Sequence, residues 1–265
     1  MNRIAAKFKD LKERGKKAFI AYLTVGFPDI KTNLRLVLEM EKRGVDIIEL
    51  GIPFSDPIAD GPTIQASSQA SLAGGTTLAD ALFLAAEIRK HSSIPLILMG
   101  YLNPFLRPSP RILAKKLSRA GVDGVIIPDL PPEASDFIRL PLKEEGIHTI
   151  FLIAPTSRPD RIKLVCRKSG GFIYYVSRTG VTGAREDLSR ELEMKVQVIK
   201  KETDLPVCVG FGISTRDQLL RIEKIADGAI VGSALIKPFL EETNSARGLK
   251  RCLEVLDGML QVISA

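Results

Sequence analysis

Glu49, Asp56 and Asp60 lie close together in the segment 46–65, and the setting of these three carboxylates favours acid/base chemistry. Glu49 lies inside a short run of Ile and Leu, which is typical of a buried parallel strand. An ionised carboxylate in such a run must be hydrogen-bonded, paired or shifted in pKa, because its desolvation is costly. Asp56 and Asp60 follow in a loop rich in Gly and Pro, and we expect both to lie over the same strand end.

Each of these carboxylates also has a plain structural interpretation. Glu49 could be a buried acid satisfied by backbone donors, and Asp beside Pro or Gly is common in turns. Three carboxylates could also hold Mg²⁺. Taken together, a carboxylate at a strand end beneath a rigid acidic loop is better explained as a functional site than as three separate structural acids.

Composition limits the classes of protein to which the chain can belong. Its 265 residues are 45% apolar and 26% charged, which suits one large α/β domain or two small ones. It has no run of about 18 apolar residues and no apolar segment of the secretory type at its start, so we expect a cytoplasmic protein without a membrane span. Cys166, Cys208 and Cys252 are scattered and odd in number, as for reduced thiols. The two histidines, His91 and His148, are far apart, which argues against a zinc site.

The net charge of the chain is +7, and the excess of basic residues is most concentrated between Arg3 and Lys17. A polyanion partner such as nucleic acid is one interpretation. A solvated helix face is the interpretation we prefer, because no basic motif interleaved with aromatic residues accompanies the charge. A phosphorylated small substrate would also gain from a positive field.

Apolar runs and helical patterns alternate along the whole chain. A helix end, a tight turn and a short buried strand recur at 44–48, 121–127 and 226–231, which indicates a repeated αβ connection. About eight βα units in this length predict an α/β fold that is a single-domain (β/α)8 TIM barrel over 1–265, with an extra N-terminal helix. A doubly wound open sheet is the alternative, although it usually has fewer strands. The strands are predicted to begin near residues 19, 46, 95, 123, 147, 172, 206 and 228.

The helices are predicted from apolar spacing and from capping residues. Pro141 should kink the fifth of them or divide it into two pieces. The predicted helices cover 2–14, 30–43, 77–90, a segment opened by Ser109 and Pro110, 132–145, a segment capped by Thr156 or Ser157 and ending near Cys166, 187–201, a segment opened by Ser214 and Asp217, and 246–263.

Three glycine-bearing loops follow the last three predicted strands, at 177–183, 210–214 and 232–234. Barrels of this kind often bind phosphate in the loops after strands seven and eight. Glycine lets backbone amides approach an anion, and Ser233 adds a hydroxyl donor. A tight turn explains any one Gly-x-Gly, but adjacent glycine loops favour a phosphate site. The loop 179–183 also resembles a mobile lid.

Taken together, these motifs resemble the tryptophan synthase α subunit family over nearly the whole chain. The most specific is Glu-Leu-Gly-Ile-Pro-Phe-Ser-Asp-Pro-Ile-Ala-Asp-Gly-Pro at 49–62, supported by 99–104, 128–131, 177–183 and 210–214. The resemblance implies a lyase that splits indole-3-glycerol phosphate into indole and glyceraldehyde 3-phosphate. It implies that Glu49 is the general acid/base and that Asp60 accepts the indole N–H. Tyr174 would orient Glu49 or the substrate.

The resemblance also implies the substrate-binding residues, the cofactor and the partner. The substrate would be bound by Tyr22, Ile64, Tyr101, Ile126 and Phe211 around the indole, and by Thr182, Gly183, Gly212, Gly232 and Ser233 toward the phosphate. No metal or organic cofactor is expected in this chain, so the Mg²⁺ interpretation ranks last. Pyridoxal phosphate is expected in a partner β subunit, within an αββα heterotetramer. The implied docking surface comprises Pro53, Asp56, 103–105 and 129–131.

Three other functions are weighed against this one. A different phosphate-sugar barrel, such as an isomerase, would need another acid/base pair, and the sequence supplies none as well placed. A non-catalytic partner that only activates a β subunit is disfavoured by Glu49 and Asp60. Nucleic-acid binding is the most distant alternative.

Overall fold

A computed structural model describes residues 1–107, 109–177, 185–210 and 212–260, with the side chains of 185–189 left out. Nine short strands in these residues form one sheet in which each paired neighbour is parallel. The order in space is β5-β4-β3-β2-β1-β9-β8-β7-β6. The strands are β1 (Ala18–Thr24), β2 (Ile47–Gly51), β3 (Leu96–Met99), β4 (Gly124–Ile126), β5 (His148–Ile150), β6 (Leu152–Ile153), β7 (Ile173–Val176), β8 (Val207–Gly210) and β9 (Gly228–Val231).

Strands β5 and β6, at the two ends of this order, are two parts of one interrupted strand. Only Phe151 separates β5 from β6, and β5 pairs with β4 while β6 pairs with β7. The chain itself therefore closes the ring, and the nine strands make eight barrel positions. The predicted (β/α)8 barrel is confirmed, and each strand begins within one residue of the predicted start.

Helices follow the strands and cover the outside of the barrel. A 3₁₀ turn at Pro132–Ala134 precedes α7. The helices are α1 (Arg3–Glu13), α2 (Ile30–Lys42), α3 (Pro62–Ala73), α4 (Leu78–Arg89), α5 (Leu102–Leu106), α6 (Pro110–Arg119), α7 (Asp136–Glu144), α8 (Pro159–Lys168), α9 (Arg185–Lys200), α10 (Arg216–Ile225), α11 (Ser233–Glu241) and α12 (Ser245–Leu260). The predicted end of the last helix, 261–263, lies outside the described residues.

Three helices, α3, α5 and α11, were not predicted. The buried side chains of α3 include Ser67, Ser68 and Ser71, so no apolar stripe marks its inner face. Helix α5 has five residues, which is too short to show a helical period. Helix α11 begins at Ser233, inside a segment interpreted as a glycine loop. Apolar periodicity cannot detect a helix whose buried face is made of small polar residues.

Two predicted boundaries were wrong. The break in 132–145 falls at Ser135, where the Ser135 N–H and side chain both donate to the Pro132 carbonyl oxygen. Pro141 lies inside α7, where it removes one donor from the helix without ending it. The eighth helix begins at Pro159, not at Thr156 or Ser157, because the Ser157 hydroxyl accepts from Ala154 in the preceding turn.

The aspartate at each repeated αβ connection fastens one strand to the strand before it in sequence. Asp46 accepts from the Phe19 N–H at 2.9 Å, Asp123 from Leu96 at 2.9 Å, and Asp227 from Val207 at 3.0 Å. These bonds lie at the N-terminal end of the barrel, opposite the strand ends that carry the predicted site. They fix the relative heights of neighbouring strands and therefore the layers of side chains inside the barrel.

The basic N-terminal segment covers this same end. Helix α1 inserts Ile4 and Phe8 beneath the barrel, where Ile4 is fully buried. Its cations pair with the aspartates of the connections: Arg3 with Asp123 at 2.9 Å, Lys7 with Asp46 at 3.6 Å and, just after the helix, Lys17 with Asp227 at 3.4 Å. Docking of α1 thus explains part of the local basic excess without a polyanion partner.

Asp123 forms more ion pairs with arginine than the other two aspartates. Its replacement tests how much these contacts stabilise the N-terminal end of the barrel. Its side chain is 4% exposed and pairs with both Arg3 and Arg89. We expect Asp123→Ala to lower the free energy of unfolding by about 3–5 kcal/mol, because it leaves the largely buried Arg89 cation unpaired. Chemical denaturation measures the change. The matched control is Asp10→Ala, an exposed partner of Arg14, for which about 0.5 kcal/mol or less is expected. Equal losses in the two variants would contradict the proposed role of Asp123.

No helix in the described part of the chain is both long and apolar enough to cross a membrane.

Candidate active site

Glu49 lies in the middle of β2 and its side chain is directed into the barrel. Its neighbours in register are Tyr22 on β1 and Ile97 on β3. The side chain is fully buried, and neither carboxyl oxygen has a hydrogen-bond partner among the described residues. Burial raises the pKa of Glu49 to about 8. The group therefore carries a proton at neutral pH and has no structural bond that would hold that proton in place.

Asp60 lies above Glu49 in the loop between β2 and α3. The Asp60 N–H donates to the Pro57 carbonyl oxygen at 3.0 Å, and Gln65 donates to the Asp60 carbonyl oxygen at 2.8 Å, so the loop is held on both sides. Burial raises the pKa of Asp60 to about 6, and a hydrogen bond with Tyr101 opposes that rise. Asp60 is thus mostly ionised at the pH at which Glu49 is mostly protonated.

Asp56 does not join this pair, which corrects the expectation that both loop carboxylates lie over the strand end. Its side chain is exposed and accepts a hydrogen bond from the Ser55 hydroxyl at 2.6 Å. In the part of the chain that the structure describes, no group of three or more His, Cys, Asp or Glu side chains is arranged to hold a metal ion.

Two tyrosines flank Glu49 from either side of the barrel, and the hydroxyl of each occupies space that is free because the neighbouring strand carries a glycine there. The Tyr22 hydroxyl lies over Gly51, where a Cβ would overlap it, and the Tyr174 hydroxyl lies over Gly210 in the same way. Burial, followed by the charges of nearby carboxylates that include Glu49 and Asp60, raises the pKa of both tyrosines. Because Glu49 has no hydrogen-bond partner in the described structure, Tyr174 does not orient it by a hydrogen bond there.

Three of the remaining predicted indole contacts, Ile64, Tyr101 and Ile126, lie at or beyond the C-terminal ends of β2, β3 and β4. Ile126 ends β4 one layer above Glu49, in register with Met99, and Ile64 lies in the first turn of α3. Tyr101 follows β3, and its hydroxyl accepts from the Ala59 N–H at 2.8 Å. Phe54 stacks on Tyr101 with ring centroids 5.1 Å apart. Sequence reasoning did not assign Phe54 to the site, although its place between Glu49 and Asp60 was the available signal.

The glycine loops reach the rim of the barrel at the ends of β8 and β9. Gly212 has φ +77°, a conformation that favours glycine. Gly232 is the N-cap of α11 and Ser233 its first residue. The first N–H groups of a helix have no partner inside it, so this end of α11 can receive an anion. Thr182, Gly183, Phe211 and the predicted lid 179–183 lie outside the described residues.

Comparison with known proteins decides the family. The family model described as "Tryptophan synthase alpha chain" matches residues 8–263. A tryptophan synthase alpha chain of Geotalea uraniireducens is 50% identical over 242 residues, which are 91% of this chain and 90% of that one. The solved alpha subunit of Legionella pneumophila superimposes with a TM-score of 0.92 at 35% identity, covering 100% of this chain and 99% of that one.

The chain belongs to the tryptophan synthase alpha chain family. That membership confirms the resemblance drawn from the motifs and places the chain among the lyases of tryptophan biosynthesis. A further solved relative, described as the tryptophan synthase a2b2 complex from Pyrococcus furiosus, has a TM-score of 0.86 at 38% identity. The match covers 93% of this chain and 99% of that one.

In this tryptophan synthase alpha chain family member, the docking surface predicted from the sequence contains both exposed and buried residues. Asp56, Asn103, Asp129 and Pro131 are exposed, whereas Pro53, Phe105 and Leu130 are buried and support the loops from below. The Asp129 carboxylate accepts from the Leu102 N–H at 2.9 Å and so joins the loop after β4 to α5. Two apolar side chains in the same segments are also exposed, Ile58 at 85% in the loop after β2 and Leu106 at 47% at the end of α5.

Proposed function

We propose that this chain cleaves indole-3-glycerol phosphate to indole and glyceraldehyde 3-phosphate by a retro-aldol reaction. The observation that supports this proposal best is the presence of two carboxyl groups in opposite protonation states at neutral pH. Glu49 is buried with a pKa of about 8, and Asp60 at the rim has a pKa of about 6. Two titratable groups whose surroundings move their pKa values apart are typical of an acid/base site.

The reaction needs a proton on C3 of the indole ring and the loss of one from the adjacent glycerol hydroxyl. Protonated Glu49 donates to C3, which creates an indoleninium cation. Ionised Asp60 accepts the hydrogen bond of the ring N–H and stabilises that cation electrostatically. The Glu49 carboxylate then takes the hydroxyl proton, the C–C bond breaks, its electron pair returns to the indole ring, and the C=O bond of the aldehyde forms. Glu49 ends protonated, as it began, so the reaction is balanced with no other reactant.

The other predicted site residues hold the substrate in place. We assign Tyr22, Ile64, Tyr101, Ile126 and Phe211 to the indole, and Tyr174 to positioning the substrate. We assign the phosphate to the glycine loops and the start of α11, through Thr182, Gly183, Gly212, Gly232 and Ser233. Since the proton transfers use only side chains of this chain, the proposal requires no cofactor here.

We further propose that the chain works with a β subunit carrying pyridoxal phosphate, as an αββα heterotetramer that receives the indole for tryptophan synthesis. The a2b2 assembly of the Pyrococcus furiosus relative supports a partner. So does the exposure of Ile58 and Leu106 beside the barrel mouth, because large exposed apolar side chains in one region are typical of interaction surfaces. That position would place the partner where indole leaves.

Indole release by the purified chain, with and without a β subunit, tests the proposed function. We expect slow release alone and a clear increase when the β subunit is added. The increase would establish both the reaction and the partnership. Absence of indole in both conditions, from protein shown to be folded, would overturn the proposed reaction and leave a phosphate-binding barrel.

A further inference from the structure

The loop that carries Asp60 is tied to the barrel through the side chain of Tyr101. The Ala59 N–H donates to the Tyr101 hydroxyl oxygen at 2.8 Å, and Ala59 is the residue directly before Asp60. In the described part of the chain, the hydrogen bonds that residues 55–60 make to groups other than Tyr101 stay within the segment 55–65. Those bonds shape the loop but do not fix its place over the strand ends. The position of Asp60 relative to the barrel therefore depends on Tyr101.

The backbone of Tyr101 is fastened on both sides. The Gly100 N–H donates to the Ile126 carbonyl oxygen at 3.1 Å, and the Leu102 N–H donates to the Asp129 carboxylate at 2.9 Å. Both acceptors belong to β4 or to the loop that follows it. The Tyr101 side chain is buried, so water does not compete strongly for its hydroxyl. Tyr101 is thus a fixed point to which the more exposed loop is attached.

The ring of Tyr101 is held by Phe54. The two rings are stacked, with centroids 5.1 Å apart and an angle of 25° between their planes, an arrangement that is favourable for aromatic pairs. Phe54 lies two residues after Ile52, whose N–H donates to the Met99 carbonyl oxygen at 2.8 Å. This bond joins β2 to β3 directly beneath the stacked rings. Phe54 therefore limits the rotation of the Tyr101 ring and with it the movement of the hydroxyl.

The proposed reaction makes the placement of Asp60 important. Its carboxylate must lie where the indole N–H is bound and where the indoleninium charge develops. A charged group stabilises a transition state best when it is already in place before the reaction. Misplacement by about 1 Å can cost about 10²-fold in rate. A hydrogen bond at the residue next to Asp60 is well located to prevent such a displacement.

We propose that Tyr101 and Phe54 are positioning residues for Asp60. The Tyr101 hydroxyl fixes the backbone at Ala59, and the Phe54 ring fixes Tyr101. This inference rests on the proposed function. It gives the Tyr101 hydroxyl a role separate from that of the ring, which is assigned to the indole, and it gives a role to Phe54, which the proposed function leaves without one.

The first test is Tyr101→Phe, which keeps the ring and removes only the oxygen. In the chain without a β subunit, we expect kcat for indole release to fall about 3- to 10-fold and KM to rise only about 2-fold, because the displaced carboxylate acts mainly on the transition state. Phe54→Leu should lower kcat in the same way. The double variant should be no worse than the more affected single variant, since both changes act through one contact.

The matched control is Ser55→Ala. It removes a hydrogen bond of the same loop, from the Ser55 hydroxyl to Asp56, and leaves the bond between Ala59 and Tyr101 in place. Both kcat and KM should be unchanged. A loss in Ser55→Ala equal to that in Tyr101→Phe would contradict a specific role for Tyr101.

A second test separates positioning of Asp60 from a general structural role. Tyr101→Phe is introduced into the Asp60→Asn variant, where no charge remains to be placed. There we expect it to lower kcat by less than about 2-fold, as for two residues that act through one interaction. Equal losses in the two backgrounds would overturn the proposal.

A third test needs no turnover. 3-(Indol-3-yl)propyl phosphate is compared with its benzofuran analogue, in which oxygen replaces the ring N–H, and both Kd values are measured by calorimetry. The unmodified chain should bind the N–H compound more tightly, and Tyr101→Phe should reduce this preference about 2- to 3-fold by weakening one hydrogen bond. An unchanged preference, or none in the unmodified chain, would overturn the proposal. If the unmodified chain releases no indole, the proposed reaction fails, whereas the ratio of Kd values still decides the role of Tyr101.

Discussion

Replacing Glu49 by Gln is expected to lower kcat for indole release by about 10²–10⁴-fold, the range typical of a lost general acid/base. The amide is nearly isosteric, but it neither donates a proton to indole C3 nor takes one from the glycerol hydroxyl. Single-turnover measurement of indole formation checks the result. Activity within a factor of a few of the unmodified chain would exclude Glu49 from the proton transfers.

The stability of the same variant provides an internal control. Folding raises the pKa of Glu49 from 4.5 to about 8, so the unmodified chain loses stability as pH rises through this window and levels off above it. Glu49→Gln lacks this term, and its stability relative to the unmodified chain should therefore improve between pH 5 and about pH 8. A variant that is inactive and also less stable at every pH would point to misfolding rather than lost chemistry. Binding of the β subunit by the folded variant would separate a lyase from a partner that only activates.

Replacing Asp60 by Asn is expected to lower kcat by about 10²–10³-fold, since it removes the charge that stabilises the indoleninium cation. The pH dependence of kcat/KM provides the more specific measurement. In the unmodified chain we expect a bell, falling below about pH 6 as Asp60 gains a proton and above about pH 8 as Glu49 loses one. The variant should lose the acid limb and keep the alkaline limb.

The matched control for this experiment is Asp56→Asn in the same loop. Asp56 is exposed and bonded to Ser55, so its loss should leave kcat and both limbs unchanged. The assay is done without the β subunit, because Asp56 belongs to the proposed docking surface. An acid limb that survives in Asp60→Asn would assign the pKa near 6 to another group.

The sequence by itself determined the alternation of strands and helices and the strand that carries Glu49. These are local properties, since an apolar run between turn residues predicts a buried strand wherever it is placed. The 49–62 motif likewise identified the family, because the order of its residues is a property of the sequence alone. The breaks at Ser135 and Pro159 were missed because side-chain bonds within turns, rather than proline alone, decide where those helices begin.

Only the tertiary structure decided which polar groups meet inside the barrel. Asp56 and Asp60 occupy the same loop, yet Asp56 is exposed, whereas Asp60 is partly buried and burial raises its pKa to about 6. Helix α3 could not be recognised because serines form much of its buried face. The hydrogen bond between the Thr24 and Ser67 hydroxyls joins residues 43 positions apart in the sequence. Strand register and loop closure set such distances, and neither is a property of any single segment of the chain.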